Sequence, residues 1–181
     1  MRDTTEYALV NKYIDLRIWA NESFIVAQFR TLDGKNLQFT VANTHFDDRG
    51  QVARLESAKL IVERLQNKRK PIFLLGDLNS EQDDSAYQYL QKNAFLIDLK
   101  DQAKIQTGNL HTFTGFDERN VRQTVIDYVF GSKADVLQGA EQKYNVSLYG
   151  VGANRYEDGI YLSDHRPVVV DINLDSKKHE E

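Results

Sequence analysis

The chain has 181 residues, 41% hydrophobic and 28% charged, which fits one globular domain with a sizeable core and fits neither a disordered nor a fibrous chain. It contains no cysteine, which excludes a disulfide scaffold, a thiol nucleophile and a thiolate zinc site, so any metal must be held by oxygen and imidazole. The net charge of -4 is uneven, with 12 Lys+Arg against 9 Asp+Glu in residues 1–70 and 11 against 18 in residues 71–181, an acidic balance that argues against a broad basic nucleic-acid surface.

Taken in chain order, Phe24 to Arg30 and Leu37 to Asn43 are β-rich runs flanking Asp33-Gly34, the pattern of an antiparallel hairpin that ends at Thr44-His45. From Gln51 to about Lys68, Val52, Leu55, Ala58, Ile61, Val62 and Leu65 recur at three- and four-residue steps, which predicts a helix lying on a sheet. Pro71 closes that region. Ile72-Phe73-Leu74-Leu75 is too short for a helix and suits a strand buried on both faces, ended by Gly76-Asp77.

Ser80 is a candidate cap for a second helix over about Gln82 to Lys92, with Ala86, Tyr89 and Leu90 inward. Lys100 to Arg122 is polar and loop-like. Thr124 to Phe130, Tyr144 to Tyr149 and Val168 to Asn173 read as strands, and from Leu174 the chain is charged and expected to fray. Strands alternating with helices, plus adjacent antiparallel runs, imply an α/β layered domain with a mixed sheet.

Chemistry gathers at the predicted strand ends. Asn43-Thr44-His45 ends one strand, Gly76-Asp77-Leu78-Asn79 ends a second, and Ser163-Asp164-His165-Arg166-Pro167 precedes a third, while Asp127 lies within a fourth. A carboxylate among apolar strand neighbours needs a partner, and a histidine is the obvious one. If one rim of the sheet collects them, His45, Asp77, Asn79, Asp127, Asp164 and His165 form a set of hard oxygen ligands and proton-transfer groups suited to Mg²⁺ or Mn²⁺ and a phosphate substrate. Each segment alone has a plainer reading: Asp77 and Asn79 as a turn and helix cap, Asp164-His165 as a polar loop, and His45 as a structural histidine.

The segments Asn-Thr-His-Phe at 43–46, Gly-Asp-Leu-Asn at 76–79, His-Thr-Phe at 111–113, Ile-Asp-Tyr-Val at 126–129 and Ser-Asp-His-Arg-Pro at 163–167 resemble, in order, the motifs of the endonuclease/exonuclease/phosphatase superfamily. The likeness runs from about Ile18 to Ile172. It implies a layered α-β-β-α sandwich with mixed, largely antiparallel sheets, over a partial domain of residues 1–175 with a charged tail at 176–181. It also implies a divalent-metal-dependent hydrolase of phosphoester or phosphodiester bonds, of nuclease or phosphatase type.

Carried over by residue, the resemblance gives His45 contact with the scissile phosphate, Asp77 the attacking water or the leaving group, and Asn79 the positioning of phosphate and water. Asp127 would hold His165 beside the phosphate. Asp164 and Asp77 are the metal-ligand candidates, and Asn43, Thr112 and Phe113 the substrate-binding ones. The Gly115-Phe116 pair that follows extends a substrate-facing loop whose aromatics suit stacking on a base or sugar.

One departure from the family pattern stands out. The strands that usually bring an Asn and a Glu to the principal metal have no recognisable counterpart before His45, where residues 1–23 offer only Asn11, Asp15, Asn21 and Glu22. The sheet is therefore expected to be N-terminally incomplete, to pair with a second copy or a complementing N-terminal segment, and to be impaired as an isolated chain. The alternative is a non-catalytic member serving as a binding or assembly module. The expected partner is a phosphate ester, whether nucleic acid, phospholipid, sugar phosphate or nucleotide.

Other features take plain readings. Lys68-Arg69-Lys70 is a solvated helix end, Trp19 packs in the core or at an edge, Asp47-Asp48 is a loop near the site, and Asn21-Glu22-Ser23 and Asn145-Val146-Ser147 match the glycosylation sequon. No apolar run reaches the roughly 18 to 20 residues of a membrane span, and no basic-then-apolar leader opens the chain. The cytoplasm is the default compartment on that pattern.

Overall fold

Each sheet residue's neighbours explain why its strand reads as it does, beginning with the hairpin. In a computed structural model that describes residues 5–10, 14–21, 24–32, 36–92, 95–117, 124–134, 136–137 and 142–176, β3 (Phe24–Thr31) and β4 (Gln38–His45) pair antiparallel, from Phe24 opposite Thr44 to Arg30 opposite Gln38. The Asp33-Gly34 turn lies outside the described residues. Thr40, Ala42 and Thr44 alternate on the buried face of β4, and Phe39 and Val41 point the other way into a second core.

Two strands precede this hairpin, β1 (Thr5–Val10) and β2 (Ile14–Asn21), and extend the sheet in register, with Val10 opposite Asp15 and Asn21 opposite Phe24. The sequence reading found no strand there, because neither segment has a long apolar run. A central strand buried on both faces needs one; strands at the outer side of a sheet do not. Asn21 stands at the same sheet end as His45, but three strands from Asp77, roughly 14 Å at the usual strand spacing. Asn11 and Glu22 lie outside the described residues.

β5 (Ile72–Asp77) runs parallel to β4 and is flanked on its other side by the antiparallel β8 (Asp127–Ser132). Ile72 and Leu74 face the helices and Phe73 faces the second sheet, which is why the sequence there is uniformly apolar. α1 (Gln51–Leu65) makes the crossover between β4 and β5 and buries Ala58, Ile61, Val62 and Leu65. Its apolar stripe begins later than expected, because Val52 in the first turn is exposed.

The second helix, α2 (Ser85–Lys92), starts three residues later than the sequence suggests, with Asp84 in the capping position, where its carbonyl accepts from Gln88 N at 3.0 Å. Ser80 is not the cap: its side chain is buried, and its carbonyl takes the Tyr128 hydroxyl at 3.0 Å. Tyr87, rather than Tyr89, is the fully inward aromatic, and it donates to Asp98 Oδ2 at 3.0 Å.

β6 (Leu96–Asp98) follows, then a 3-10 turn at Leu99–Gln102 whose Lys100 amide donates to the Asp98 carboxylate, and then β7 (Ile105–Gly108) inside what reads as a loop. β7 escaped notice because all four of its residues are exposed and carry no alternation. β8 (Asp127–Ser132), β9 (Gln142–Val151) and β10 (Val168–Ser176) complete the sheets. β10 does not fray at Leu174, which packs in the second core while Ser176 still pairs with Gln142.

The seven-stranded sheet has the order β1-β2-β3-β4-β5-β8-β6, and the three-stranded sheet β10-β9-β7. Helices α1 and α2 cover one face of the larger sheet, through a core that includes Val26, Ala42, Leu74 and Phe130. Its other face meets the smaller sheet through Phe73, Leu99 and Val146, with Phe39, Val129 and Tyr144 around them. This is a layered α/β sandwich with mixed, largely antiparallel sheets: among the described pairings only β4 with β5 and β7 with β9 are parallel. Among the described residues no helix is long and apolar enough to cross a membrane.

Candidate active site

Register alone brings three chemistry-bearing residues into one row. His45 lies opposite Asp77 across the β4–β5 pair, and Asp77 opposite Asp127 across β5–β8, so three adjacent strands deliver an imidazole and two carboxylates to one rim. Gly76 makes the close approach possible. Its φ is 144°, and a Cβ there would sit 1.9 Å from the Thr44 carbonyl oxygen.

Beyond the strand end, Asp77 folds the chain back on itself. Asn79 N donates to Asp77 Oδ1 at 2.7 Å, an Asx turn that leaves Asn79 with a φ of 44°. The turned Asn79 Nδ2 donates to the Phe46 carbonyl at 2.9 Å and sits 3.1 Å from His45 Nε2. His45 Nε2 also lies 3.4 Å from Asp77 Oδ2, so the imidazole accepts from the amide in one tautomer and donates to the carboxylate in the other. At 70% exposure, the His45 side chain is open to a ligand.

His165 arrives from the loop before β10. Its Nδ1 is 2.8 Å from Asp127 Oδ2 and its Nε2 3.7 Å from Asp77 Oδ2, so both histidines turn Nε2 toward one carboxylate. Phe113 packs edge-on against the His165 ring at 5.0 Å. Burial works to lower the His165 pKa, but the hydrogen bond and charge of Asp127, with Asp77 and Asp164, outweigh it and hold the imidazole above its usual range. Asp77 is pushed up, first by burial and then by the charge of Asp127, against the lowering effect of its bond from Asn79 N and of the two histidines.

The structure thus brings together His45, Asp77, Asn79, Asp127 and His165, and treats the other candidates differently. Asn43 is exposed on the His45 face of β4, one pleat back from the rim. Thr112 is fully buried, and its Oγ1 accepts from Ile126 N at 3.0 Å and Asp127 N at 3.1 Å, so it holds the strand carrying Asp127 and does not face a substrate. Phe113 is half-buried against His165. The Asp164 carboxylate takes the Ser163 hydroxyl at 3.3 Å and lies outside the metal-capable group, while its peptide oxygen accepts from Thr114 N at 2.8 Å. Asp47 makes a turn, accepting from Arg49 N and Gly50 N.

One atom each from Asp77, Asp127 and His165 falls within 4.8 Å of the others, a spacing and donor set able to hold a small divalent cation. Sequence reasoning missed Asn154, which is fully buried and whose Nδ2 donates to Thr114 Oγ1 and to the Ser163 carbonyl, both at 2.8 Å. No strand-end motif marks it, and only the folded loops show its role.

The sequence pattern of the Endonuclease/Exonuclease/phosphatase family matches residues 9–165. The chain belongs to this family. Among solved structures, a family member from Bacteroides thetaiotaomicron is 27% identical, with a TM-score of 0.71 over 82% of this chain and 54% of that one. A mannosyl-6-phosphatase from the same organism is 23% identical, with a TM-score of 0.71 over 96% of this chain and 66% of that one. The human Nocturnin catalytic domain, solved with a bound sulfate anion, is 18% identical, with a TM-score of 0.58 over 89% of this chain and 54% of that one. The chain spans less than two thirds of the length of each, and the last two likenesses concern the fold alone. No curated protein sequence matches.

Proposed function

We propose that this chain carries the reaction centre of a divalent-metal-dependent phosphoester hydrolase. The observation that carries this reading is the convergence of two imidazoles on Asp77 Oδ2, with Asn79 beside one and Asp127 behind the other. Spontaneous phosphoester cleavage is slow because charge repels the nucleophile and the leaving oxygen is a poor one. A site that supplies cationic donors to the phosphoryl oxygens and a base to water addresses both.

Asp77, made more basic by burial, orients the attacking water and takes its proton as the new oxygen–phosphorus bond forms in line with the one that breaks. His165, whose hold on its proton Asp127 strengthens, donates from Nε2 to a non-bridging oxygen. His45 and the Asn79 amide bind the phosphoryl group from the other side. Of the three side chains close enough together to hold Mg²⁺ or Mn²⁺, the carboxylates of Asp77 and Asp127 would be the ligands, and a cation there would neutralise phosphoryl charge. Membership of the Endonuclease/Exonuclease/phosphatase family supports this reading, and the excess of acidic residues in 71–181 favours a small phosphate ester over a long nucleic acid. The expectation of a second copy or a complementing segment gains no support from the structure.

The test is Mn²⁺ titration by calorimetry, followed by hydrolysis of a chromogenic phosphomonoester and phosphodiester. Metal-dependent turnover that falls about 10²- to 10³-fold in Asp77→Ala and in His165→Ala is the expected outcome. Metal binding without turnover sensitive to either variant would replace the hydrolase with a non-catalytic binding module.

A further inference from the structure

We propose that Phe116, Tyr161 and Arg155 form a subsite beside the reaction centre for a hydroxylated ring, so that the ester selected is a sugar phosphate. The inference rests on the phosphoester reading above and adds the leaving group to it.

Phe116 has a φ of 64°, a left-handed conformation that strains a bulky residue and persists only where the surroundings impose it. Gly115 before it has a φ of 63°. Two successive left-handed residues turn the chain so that Phe116 stays 56% exposed and its ring meets Tyr161 edge-on at 6.0 Å, with the planes 89° apart. An aromatic held in a strained conformation and still presented to solvent gains nothing from burial, which points to a ligand-facing purpose.

Tyr161 stands on a short hairpin closed by the Arg155–Tyr161 bridge and by Tyr156 N donating to the Ile160 carbonyl at 2.8 Å. The Arg155 guanidinium lies 5.3 Å from the Tyr161 ring centroid, and its Nε donates to the Gly159 carbonyl at 2.9 Å. The hairpin runs into Ser163 and His165. The Phe116 loop is pinned to the same place, because Thr114 N, Thr114 Oγ1 and Gly115 N all donate to the Asp164 carbonyl. Asn154, wholly buried, ties Thr114 to Ser163, and its carbonyl accepts from Leu162 N at 2.7 Å. Loop, hairpin and His165 segment therefore form one block, and the two rings hold a fixed place relative to the phosphate position.

The chemistry of that block selects among phosphate esters. Two aromatic rings, one of them backed by the Arg155 guanidinium, offer apolar surface to the C–H face of a sugar, while the exposed Glu157 and Asp158 carboxylates at the hairpin tip offer acceptors to hydroxyls. Those same carboxylates repel a nucleic-acid strand or an anionic membrane surface.

Calorimetry of the full chain with Mn²⁺, using inorganic phosphate, glucose 6-phosphate and a thymidine dinucleotide, tests it. Glucose 6-phosphate should bind about tenfold more tightly than phosphate, and Phe116→Ala and Tyr161→Ala should each remove most of that difference while leaving phosphate affinity in place. Phe116→Tyr should retain it, and thermal unfolding checks that each variant is folded. Sugar phosphate binding no tighter than phosphate, a Phe116→Ala loss shared equally by both, or a preference for the dinucleotide would overturn the subsite and leave the hydrolase reading standing. Binding of none of the three would overturn both.

Discussion

Asp127 Oδ2 and His165 Nδ1 lie 2.8 Å apart, although 38 residues separate them, and this bond fixes which ring nitrogen faces the reaction centre. With Nδ1 committed to the carboxylate, Nε2 is the nitrogen turned toward Asp77.

Asp127→Asn keeps the shape of that contact and removes its charge. The His165 pKa should fall from above 6.5 toward or below it, because burial then acts with less opposition. An NMR titration of the His165 imidazole reads the shift directly. Turnover at neutral pH should drop about 10²-fold or more as the donor to phosphate loses its proton. An unchanged titration would show that Asp127 does not govern the imidazole.

Folding stability should carry the same signature. A histidine whose folded pKa is raised binds its proton more tightly in the native state. Its contribution is therefore fully present below about 6.5 and is lost as pH rises through the raised value. The raised carboxyl of Asp77 acts in the same direction over a lower window, from about 3.8 upward. Denaturant midpoints measured from pH 5 to pH 9 should fall across the histidine window in the wild type, and the slope should flatten in His165→Ala.

Much of this rim was legible in the sequence because its residues lie at strand ends, where an apolar run stopping at Asp77 or at His45 is visible without coordinates. Asp127 was legible for the complementary reason, as a charge within a strand that had to find a partner. What could not be read has a physical pattern too. β7 is exposed at every position and carries no pattern, whereas β2 alternates Ile14, Leu16 and Ile18 with Asp15 and Arg17, a strand signal that a search for long apolar runs passes over. Ser80 and Asp84 are both plausible caps, and the choice between them depended on Tyr128 claiming the Ser80 carbonyl from the sheet. Thr112 sits in a motif whose family resemblance points to substrate, but its hydroxyl faces inward to two backbone amides, an orientation that only the packing of β8 decides.

Gly76→Ala isolates the role of strand spacing. The added Cβ would meet the Thr44 carbonyl at 1.9 Å and the residue would be strained at a φ of 144°, so β4 and β5 must part where His45 and Asp77 align. A stability loss of more than about 2 kcal/mol is expected from strain and overpacking together. Native-state hydrogen exchange should show the loss concentrated at the ends of β4 and β5. Wild-type protection there would mean that the sheet accommodates a side chain at this point.

Thr112→Val tests whether a residue with no access to substrate still sets the geometry of the site. The two side chains have nearly the same shape, but valine cannot accept from Ile126 N and Asp127 N, and leaving buried amide donors without a partner costs about 1 to 3 kcal/mol. A purely structural residue would change the denaturation midpoint alone. If the hydroxyl also positions Asp127, the His165 titration should move down as well, because the carboxylate that raises it is then held less well. Thr112→Ser, which restores the acceptor with a smaller side chain, should recover the His165 pKa more completely than it recovers stability. A serine variant that titrates like the valine one would assign the effect to packing volume and remove the hydroxyl from the chain of support behind Asp127.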